Sequence, residues 1–140
     1  MNDSKRTSII DKVIKMEGYL HELKEFKPVD FKQFLSDKKT KYTIERLMQL
    51  IIDLALDINN LVIKNEGGYP ACDYFNSFID LSELNVFDSD FAYKIAPSTG
   101  LRNRLVHEYE KIDDKIVYES IDKTYMYYLE YIKKIYTYLG

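Results

Sequence analysis

Residues 44–63, IERLMQLIIDLALDINNLVI, form the stretch that decides the fold. Apolar residues recur here three or four positions apart, which is the spacing of one face of an α-helix. The members of this row are Ile44, Leu47, Ile51, Leu54, Ile58 and Leu61. The row continues for about five turns of 3.6 residues and ends before Gly67 and Gly68, a common helix terminator. The sequence therefore predicts a long central helix with a buried apolar face.

Shorter apolar rows on both sides of this stretch predict further helices. They occupy residues 9–26, 31–35, 73–84, the segment from 88 to an interruption at Pro97 and Gly100, and residues 117–139. The clearest loop is GGYPAC at residues 67–72. No segment shows the sustained alternation that is typical of β-hairpins. The sequence therefore predicts an all-α, antiparallel bundle of about five main helices, forming one domain over residues 1–140.

The composition of the 140-residue chain excludes several classes of protein. A net charge of −3 opposes general attraction to nucleic acid, so any such contact needs a local basic patch or a partner protein. A single cysteine, Cys72, excludes an internal disulfide framework and a cysteine-based zinc cluster. No apolar run approaches the length of a membrane span, and the opening MNDSKRTSII lacks the apolar region of a signal peptide. We therefore expect a cytoplasmic protein without membrane contact.

The stretch LRNRLVHEYE at residues 101–110 carries the most chemistry in the chain. If it is helical to its end, Asn103 and His107 are four residues apart and share a face. Arg104 then lies about one turn before His107. Arg102 lies about 140° round the helix from His107, but its long side chain could still reach a group held near the imidazole. The stretch therefore predicts a cluster of polar side chains at one site.

These residue types suit cleavage of a phosphodiester without a metal ion or cofactor. His107 can take or give a proton near neutral pH, and Arg102 can present a planar fork to phosphate oxygens. Asn103 can orient the imidazole or contact the phosphate. In RNA the 2′-hydroxyl serves as the nucleophile. The reaction needs one group that takes a proton and another that gives one, but the motif holds a single histidine. We therefore predict a homodimer that brings two motifs to one cleft. The length of the central apolar row favours the same arrangement.

A structural interpretation competes with this one. The polar residues of the motif could form a solvated helix face, with His107 as a hydrogen-bonded boundary residue and Tyr109 as one more packing tyrosine. Asp53 and Asp57 lie four residues apart on the long helix, as a pair of catalytic or metal-binding carboxylates would. We expect them instead to form part of a solvated face or to make hydrogen bonds between helices, because carboxylates are seldom buried without partners.

Other reactive or aromatic residues are expected to be structural. His21 has no second metal ligand nearby and should lie at the surface, and Cys72 should be a packed or partly exposed thiol. Tyr125 and Tyr128 fall on the apolar row of the last helix and should pack with their hydroxyls at its rim. Three more tyrosines lie off this row and should pack at an interface, or else stack on RNA bases. They are Tyr127, Tyr131 and Tyr138.

The segment RNRLVHEYE, residues 102–110, resembles the signature of HEPN-domain proteins, in which an arginine and a polar residue precede a histidine. Its extension to R-N-x-x-x-H-x-Y, together with the preceding IAPSTGLRN, resembles the HepT branch. The order of segments agrees over nearly the whole chain. An opening helix is followed by the long middle helix, the GGYP loop, the motif and a tyrosine-rich closing helix.

This resemblance implies a HEPN-type helical homodimer that cleaves RNA without a metal ion. Arg102 and His107 would be its catalytic residues, in a cleft at the dimer interface. Asn103 and Arg104 are candidate supporting residues from their position beside them. The resemblance adds Asp53 as a further candidate, because an acidic residue near the motif arginine is plausible in such clefts.

The resemblance also implies a regulatory partner. The chain would be the toxin of a type VII toxin–antitoxin pair, neutralised when an MntA-like nucleotidyltransferase adds AMP to Tyr109. A bulky phosphate-bearing group two residues from the catalytic histidine would fill the cleft and repel an RNA phosphate. Some HEPN proteins do not cleave RNA, so the alternative is a non-catalytic helical module that binds a nucleotidyltransferase.

Overall fold

The structure, a computed structural model, describes residues 1–140 as seven α-helices and one short 3-10 helix, with no strand. The helices are α1 (Asp3–Phe26), α2 (Phe31–Ser36), α3 (Lys38–Asn65), α4 (Tyr74–Glu83), α5 (Ser89–Ile95), α6 (Ser98–His107) and α7 (Asp114–Leu139), with the 3-10 helix at Tyr109–Lys111. The predicted all-α bundle is confirmed. Three helices are long, and the segment between α3 and α7 divides into three short ones. No helix combines the length and the apolar character that crossing a membrane requires.

The long helix α3 is the centre of the bundle and contacts α1, α2, α4, α6 and α7. Its predicted apolar row is buried, apart from Leu54 and Leu61, which are half-buried. Helix α1 covers one side with a fully buried row: Ile9, Val13, Met16, Leu20 and Leu23. Because helices of the same chain cover the α3 row, its length gives no support to a homodimer. The single motif histidine remains the reason to expect one.

Six of the seven α-helices begin with a side-chain cap, in which an oxygen accepts a backbone N–H of the first turn. The capping residues are Asn2, Asp30, Asp37, Asp73, Asp88 and Asp113. Helix α6 is the exception. It begins after Pro97 without a side-chain cap, and the preceding Ala96 keeps helical dihedral angles. The chain therefore runs from α5 into α6 through a break at proline, which lacks the N–H that a continuous helix would use.

A buried polar cluster joins three helices behind the motif. Asn59 on α3 donates to the Ser77 hydroxyl on α4 at 3.0 Å and accepts from the Tyr131 hydroxyl on α7 at 2.6 Å. The prediction that Tyr131 lies off the core was therefore wrong, since this ring is 0% exposed. The hydroxyl of Tyr128 was expected at the rim, but that residue is also fully buried and bonds Ser98 at 2.6 Å. Both tyrosines pack because polar partners meet their hydroxyls inside the bundle.

Three polar or reactive residues lie at the edges of the bundle. Arg6 donates to the carbonyl oxygens of Leu139 and Gly140, which closes the first helix against the end of the last. His21 lies on the surface as predicted, with its Nε2 3.1 Å from Glu25. Cys72 is exposed in the loop before α4.

Candidate active site

Helix α6 carries the motif, but it does not extend to the end of the motif. The helix ends at His107, and Glu108 leaves the helical region with φ −131° and ψ 36°. The motif is therefore not helical to its end, and Tyr109 instead opens the 3-10 helix. The change in direction turns Tyr109 back towards α3, where its hydroxyl has a partner.

Arg102 is held in place from two sides. Its Nε donates to Oδ1 of Asp53 on α3 at 2.6 Å, and its guanidinium carbon lies 5.1 Å from the centre of the Tyr74 ring on α4. The side chains of Arg102 and Asp53 are 13% and 32% exposed, so their ion pair is partly shielded from water. Nη1 donates to the side-chain Oδ1 of Asn103 at 3.4 Å, and Nη2 donates to no group of the chain. The terminal nitrogens are thus available for an anion, while Nε fixes the plane of the fork.

Arg102, Asn103 and His107 line one open cleft of about 500 Å³, together with Cys72, Asp73, Tyr74 and Glu108. His107 is exposed at the end of α6, and its imidazole makes no hydrogen bond or ion pair within the chain. The cleft therefore combines a free imidazole, an anchored guanidinium and an amide. These groups can transfer a proton and stabilise phosphate charge. No group of three or more His, Cys, Asp or Glu side chains is placed to hold a metal ion.

The other two predicted residues face different surfaces of α6. Arg104 lines a separate cleft of about 240 Å³ between α6 and α7, which it shares with Lys123 and Tyr127. Tyr109 lines a third cleft, against α3. Within one chain the structure therefore brings Arg102, Asn103, His107 and Asp53 together and leaves Arg104 outside this group.

The Tyr109 hydroxyl donates to Oε1 of Glu45 at 2.7 Å. Glu45 is only 5% exposed, and its second oxygen accepts no hydrogen bond. The nearest cation to that oxygen is Lys41, at 3.9 Å, which also lies 3.2 Å from Asp114. Burial raises the pKa of the Glu45 carboxyl, and the hydrogen bond from Tyr109 and the positive charge of Lys41 only partly oppose this. Burial and the adjacent carboxylate also raise the pKa of Tyr109.

Two residues of these sites, Tyr74 and Glu45, were missed from the sequence. Tyr74 is one of several aromatic residues of α4, and nothing in its local pattern distinguishes it. Glu45 did carry a signal, because α3 has a second row spaced three or four apart. This row contains Glu45, Met48, Ile52, Ala55 and Asn59, all buried. Its two polar members each accept a tyrosine hydroxyl, from Tyr109 and Tyr131 respectively.

The chain is similar to one protein family and to known ribonucleases over most of its length. Residues 16–135 match the family model described as ribonuclease HepT-like. A tRNA nuclease HepT from Aphanizomenon flos-aquae is 36% identical over 132 residues, which cover 94% of this chain and 90% of that protein. A putative RNase from Archaeoglobus fulgidus is 33% identical over 84 residues, covering 60% and 63% of the two chains.

Solved structures with the same fold agree over nearly the whole chain. The tri-AMPylated HEPN toxin of Shewanella oneidensis, solved in complex with MNT antitoxin, matches with a TM-score of 0.84 and 22% identity, covering 98% of this chain and 99% of that one. The cytosolic protein of unknown function YutE from Bacillus subtilis matches with a TM-score of 0.76 and 21% identity, covering 92% and 89%. At these identities the likeness establishes a shared fold.

Proposed function

The chain belongs to the ribonuclease HepT-like family, and from this premise we propose that it is a metal-independent endoribonuclease, the toxin of a type VII toxin–antitoxin pair. The observation that carries the proposal is the anchored Arg102 beside a free His107 in one open cleft. A 36% identical relative is named a tRNA nuclease, so tRNA is the first substrate to test. Such a toxin would act on cytoplasmic RNA.

The proposed chemistry uses the nucleophile that RNA itself carries. The 2′-hydroxyl attacks the adjacent phosphorus, a phosphate oxygen gains negative charge, and the bond to the 5′-oxygen breaks. The terminal nitrogens of Arg102 bind the phosphate where this charge grows. His107 takes the proton of the attacking hydroxyl or gives one to the leaving oxygen. Asn103 fixes the imidazole or the phosphate, and Asp53 holds Arg102 in position.

We infer a homodimer because a single His107 cannot perform both proton transfers at the same moment. A two-fold axis beside α6 would bring a second His107 to the cleft. It could also bring the partner copy's Arg104 to the phosphate, which would give this residue the supporting role it lacks within one chain. Sedimentation should show a dimer at micromolar concentration. A fully active monomer would contradict this part of the proposal.

Regulation is proposed to act at Tyr109. A cognate MntA-like nucleotidyltransferase would transfer AMP from ATP to the tyrosine hydroxyl and so neutralise the toxin. The shared fold with an AMPylated HEPN toxin supports this, as does the position of Tyr109 two residues after His107. Tyr109 is 41% exposed, so a partner enzyme can reach one side of its ring.

The test uses the two histidines of the chain as a matched pair. Purified protein is incubated with tRNA in EDTA, and the products are resolved on a denaturing gel. His107→Ala should abolish cleavage, since loss of general acid–base help typically lowers rates by about 10²–10⁴. His21→Ala, on the exposed face of α1, should cleave like the natural chain. Equal loss in both variants, or cleavage that needs added magnesium, would refute the mechanism. A chain that binds the nucleotidyltransferase but cleaves no RNA would establish the non-catalytic alternative.

A further inference from the structure

Three tyrosine hydroxyls of this chain donate to a glutamate, and only one of these glutamates is buried. The pairs are Tyr109–Glu45 at 2.7 Å, Tyr136–Glu17 at 2.7 Å and Tyr138–Glu66 at 2.6 Å. Glu17 and Glu66 are exposed on the surface, whereas Glu45 lies among the buried residues of α3. A buried carboxylate without full hydrogen bonding destabilises the fold. Its position beside the motif tyrosine therefore points to a role in function.

We propose that Glu45 is the general base for the modification of its own chain, accepting the proton of the Tyr109 hydroxyl as AMP is transferred. This inference rests on the proposed function, because it assumes that Tyr109 is AMPylated. In the step, Oη of Tyr109 attacks the α-phosphorus of ATP and forms the new O–P bond. The bond from that phosphorus to the bridging oxygen breaks, and pyrophosphate leaves with its electron pair. The proton moves from Oη to Oε1 of Glu45 over the existing 2.7 Å hydrogen bond.

The surroundings of Glu45 suit a base. Burial raises the pKa of its carboxyl towards the working pH, which makes the carboxylate a better proton acceptor. Lys41 lies near enough to Oε2 to favour the charged form before the reaction, yet it makes no hydrogen bond that would occupy the carboxylate. Glu45 therefore has one oxygen, Oε1, that already holds the hydroxyl proton of Tyr109 in a hydrogen bond, and a second, Oε2, that accepts none.

The outer side of Tyr109 is open to the nucleotide. Glu45 covers one side of the hydroxyl, and the ring borders a cleft of about 210 Å³. Arg46 lines the same cleft and is exposed, with one terminal nitrogen bonded to the Gln49 side chain at 3.1 Å. A guanidinium at this position can contact the phosphates of ATP as they approach Oη. Glu45 lines this cleft as well, so the base and the incoming phosphate would meet the attacking oxygen within one cleft.

The same contact explains a structural effect of the modification. Once Oη carries a phosphodiester it has no proton to donate, and its negative charge lies beside the Glu45 carboxylate as soon as that group loses its proton to solvent. The hydrogen bond that ties the 3-10 helix to α3 is then replaced by repulsion between like charges. The segment that follows His107 is released from α3, which disturbs the cleft as well as filling it.

The test measures AMP incorporation with the purified nucleotidyltransferase and ATP, followed by intact mass over time. Glu45→Gln keeps the shape and can still accept the hydroxyl's hydrogen bond, but it cannot take its proton. We expect its modification to slow by about 10²–10⁴-fold. Glu17→Gln and Glu66→Gln, which alter the two exposed pairs, should be modified at the natural rate. Equal rates for Glu45→Gln and these controls would overturn the inference.

Two further measurements distinguish the loss of a general base from unfolding of the variant. The amide of Glu45→Gln removes a buried charge, so the variant should melt no lower than the natural chain. The pH profile gives a second readout, in which the natural rate falls as Glu45 becomes protonated and the amide variant lacks that fall. Lys41, Tyr42, Arg46, Tyr109 and Asp114 also face this carboxyl, but they are common to both proteins. If Glu45→Gln unfolds, a natural rate that stays flat across the carboxyl titration still overturns the inference. A natural chain that takes up no AMP refutes the proposed function instead.

Discussion

Replacing Asp53 with asparagine should lower kcat for RNA cleavage without raising KM. Asp53 contacts Arg102 through Nε at 2.6 Å, so it orients the guanidinium but leaves the terminal nitrogens to the substrate. An asparagine oxygen can accept the same hydrogen bond, although it provides no charge. Removing the carboxylate also makes the cleft more positive, which strengthens attraction for RNA. The substitution should therefore lower kcat while it strengthens the binding of RNA.

The magnitude follows from the shielding of this pair. Asparagine keeps a hydrogen bond to the charged guanidinium, so the substitution removes only the attraction between the two charges. That attraction contributes about 0.2–1 kcal/mol in exposed ion pairs. Because Asp53 is only 32% exposed, we expect a loss of about 1 kcal/mol, which corresponds to a factor of about 5 in rate.

The assay is steady-state cleavage of a fluorescently labelled RNA, with Asp57→Asn as the matched control. Asp57 lies one turn further along α3 and is exposed, with no hydrogen bond or ion pair to the motif. Asp57→Asn changes the net charge as Asp53→Asn does, but it removes no contact with Arg102. A raised KM with unchanged kcat would mean that Arg102 only binds RNA. Equal changes in both variants would mean that net charge, and not the positioning of Arg102, governs the rate.

Three further outcomes follow from contacts described above. Tyr109→Phe should retain substantial RNase activity but escape neutralisation by the nucleotidyltransferase and ATP; full neutralisation of this variant, seen as loss of RNA cleavage, would mean simple occlusion. Tyr131→Phe should lower the free energy of unfolding by about 1–3 kcal/mol, because Asn59 Oδ1 loses its donor inside the core; an unchanged urea midpoint would contradict this. Acid should also destabilise the fold, since hydrogen bonds from the residue three positions on hold the pKa of Asp37 and Asp73 below the usual value. A folded pKa lower than the unfolded one gives stability that is present above the unfolded value and is lost as the pH falls through the folded value, so a melting temperature that stays constant between neutral pH and pH of about 3 would refute this attribution.

The sequence predicted the helices well because their signals are local. The apolar rows and the aspartates at residues 30 and 88 fix where most helices lie and begin, and they depend only on neighbouring positions. The same approach placed Arg102, Asn103 and His107 at one site, since all three lie within two turns of one helix.

The errors arose where a distant partner decides the position of a side chain. Tyr131 packs in the core because Asn59, 72 residues away in sequence, accepts its hydroxyl. Tyr109 leaves the helical path to reach Glu45, which is 64 residues away. Neither contact could be read from spacing, because each joins elements that lie side by side only in the folded bundle.

The missing cap of α6 has a consequence for the order of folding. Six helices carry a local start signal, whereas α6 relies on long-range bonds from Arg102 to Asp53 and between Ser98 and Tyr128, and the 3-10 helix after it on the bond from Tyr109 to Glu45. These bonds join the segment to residues of α3 and α7 that are distant in sequence, and closing long loops is slow. We therefore expect α6 to be the last helix to become ordered, and its amide hydrogens to exchange with solvent before those of α3. A nascent chain whose α7 is still inside the ribosome would accordingly lack the bond between Ser98 and Tyr128, so α6 and the motif on it would not yet be held in their final position.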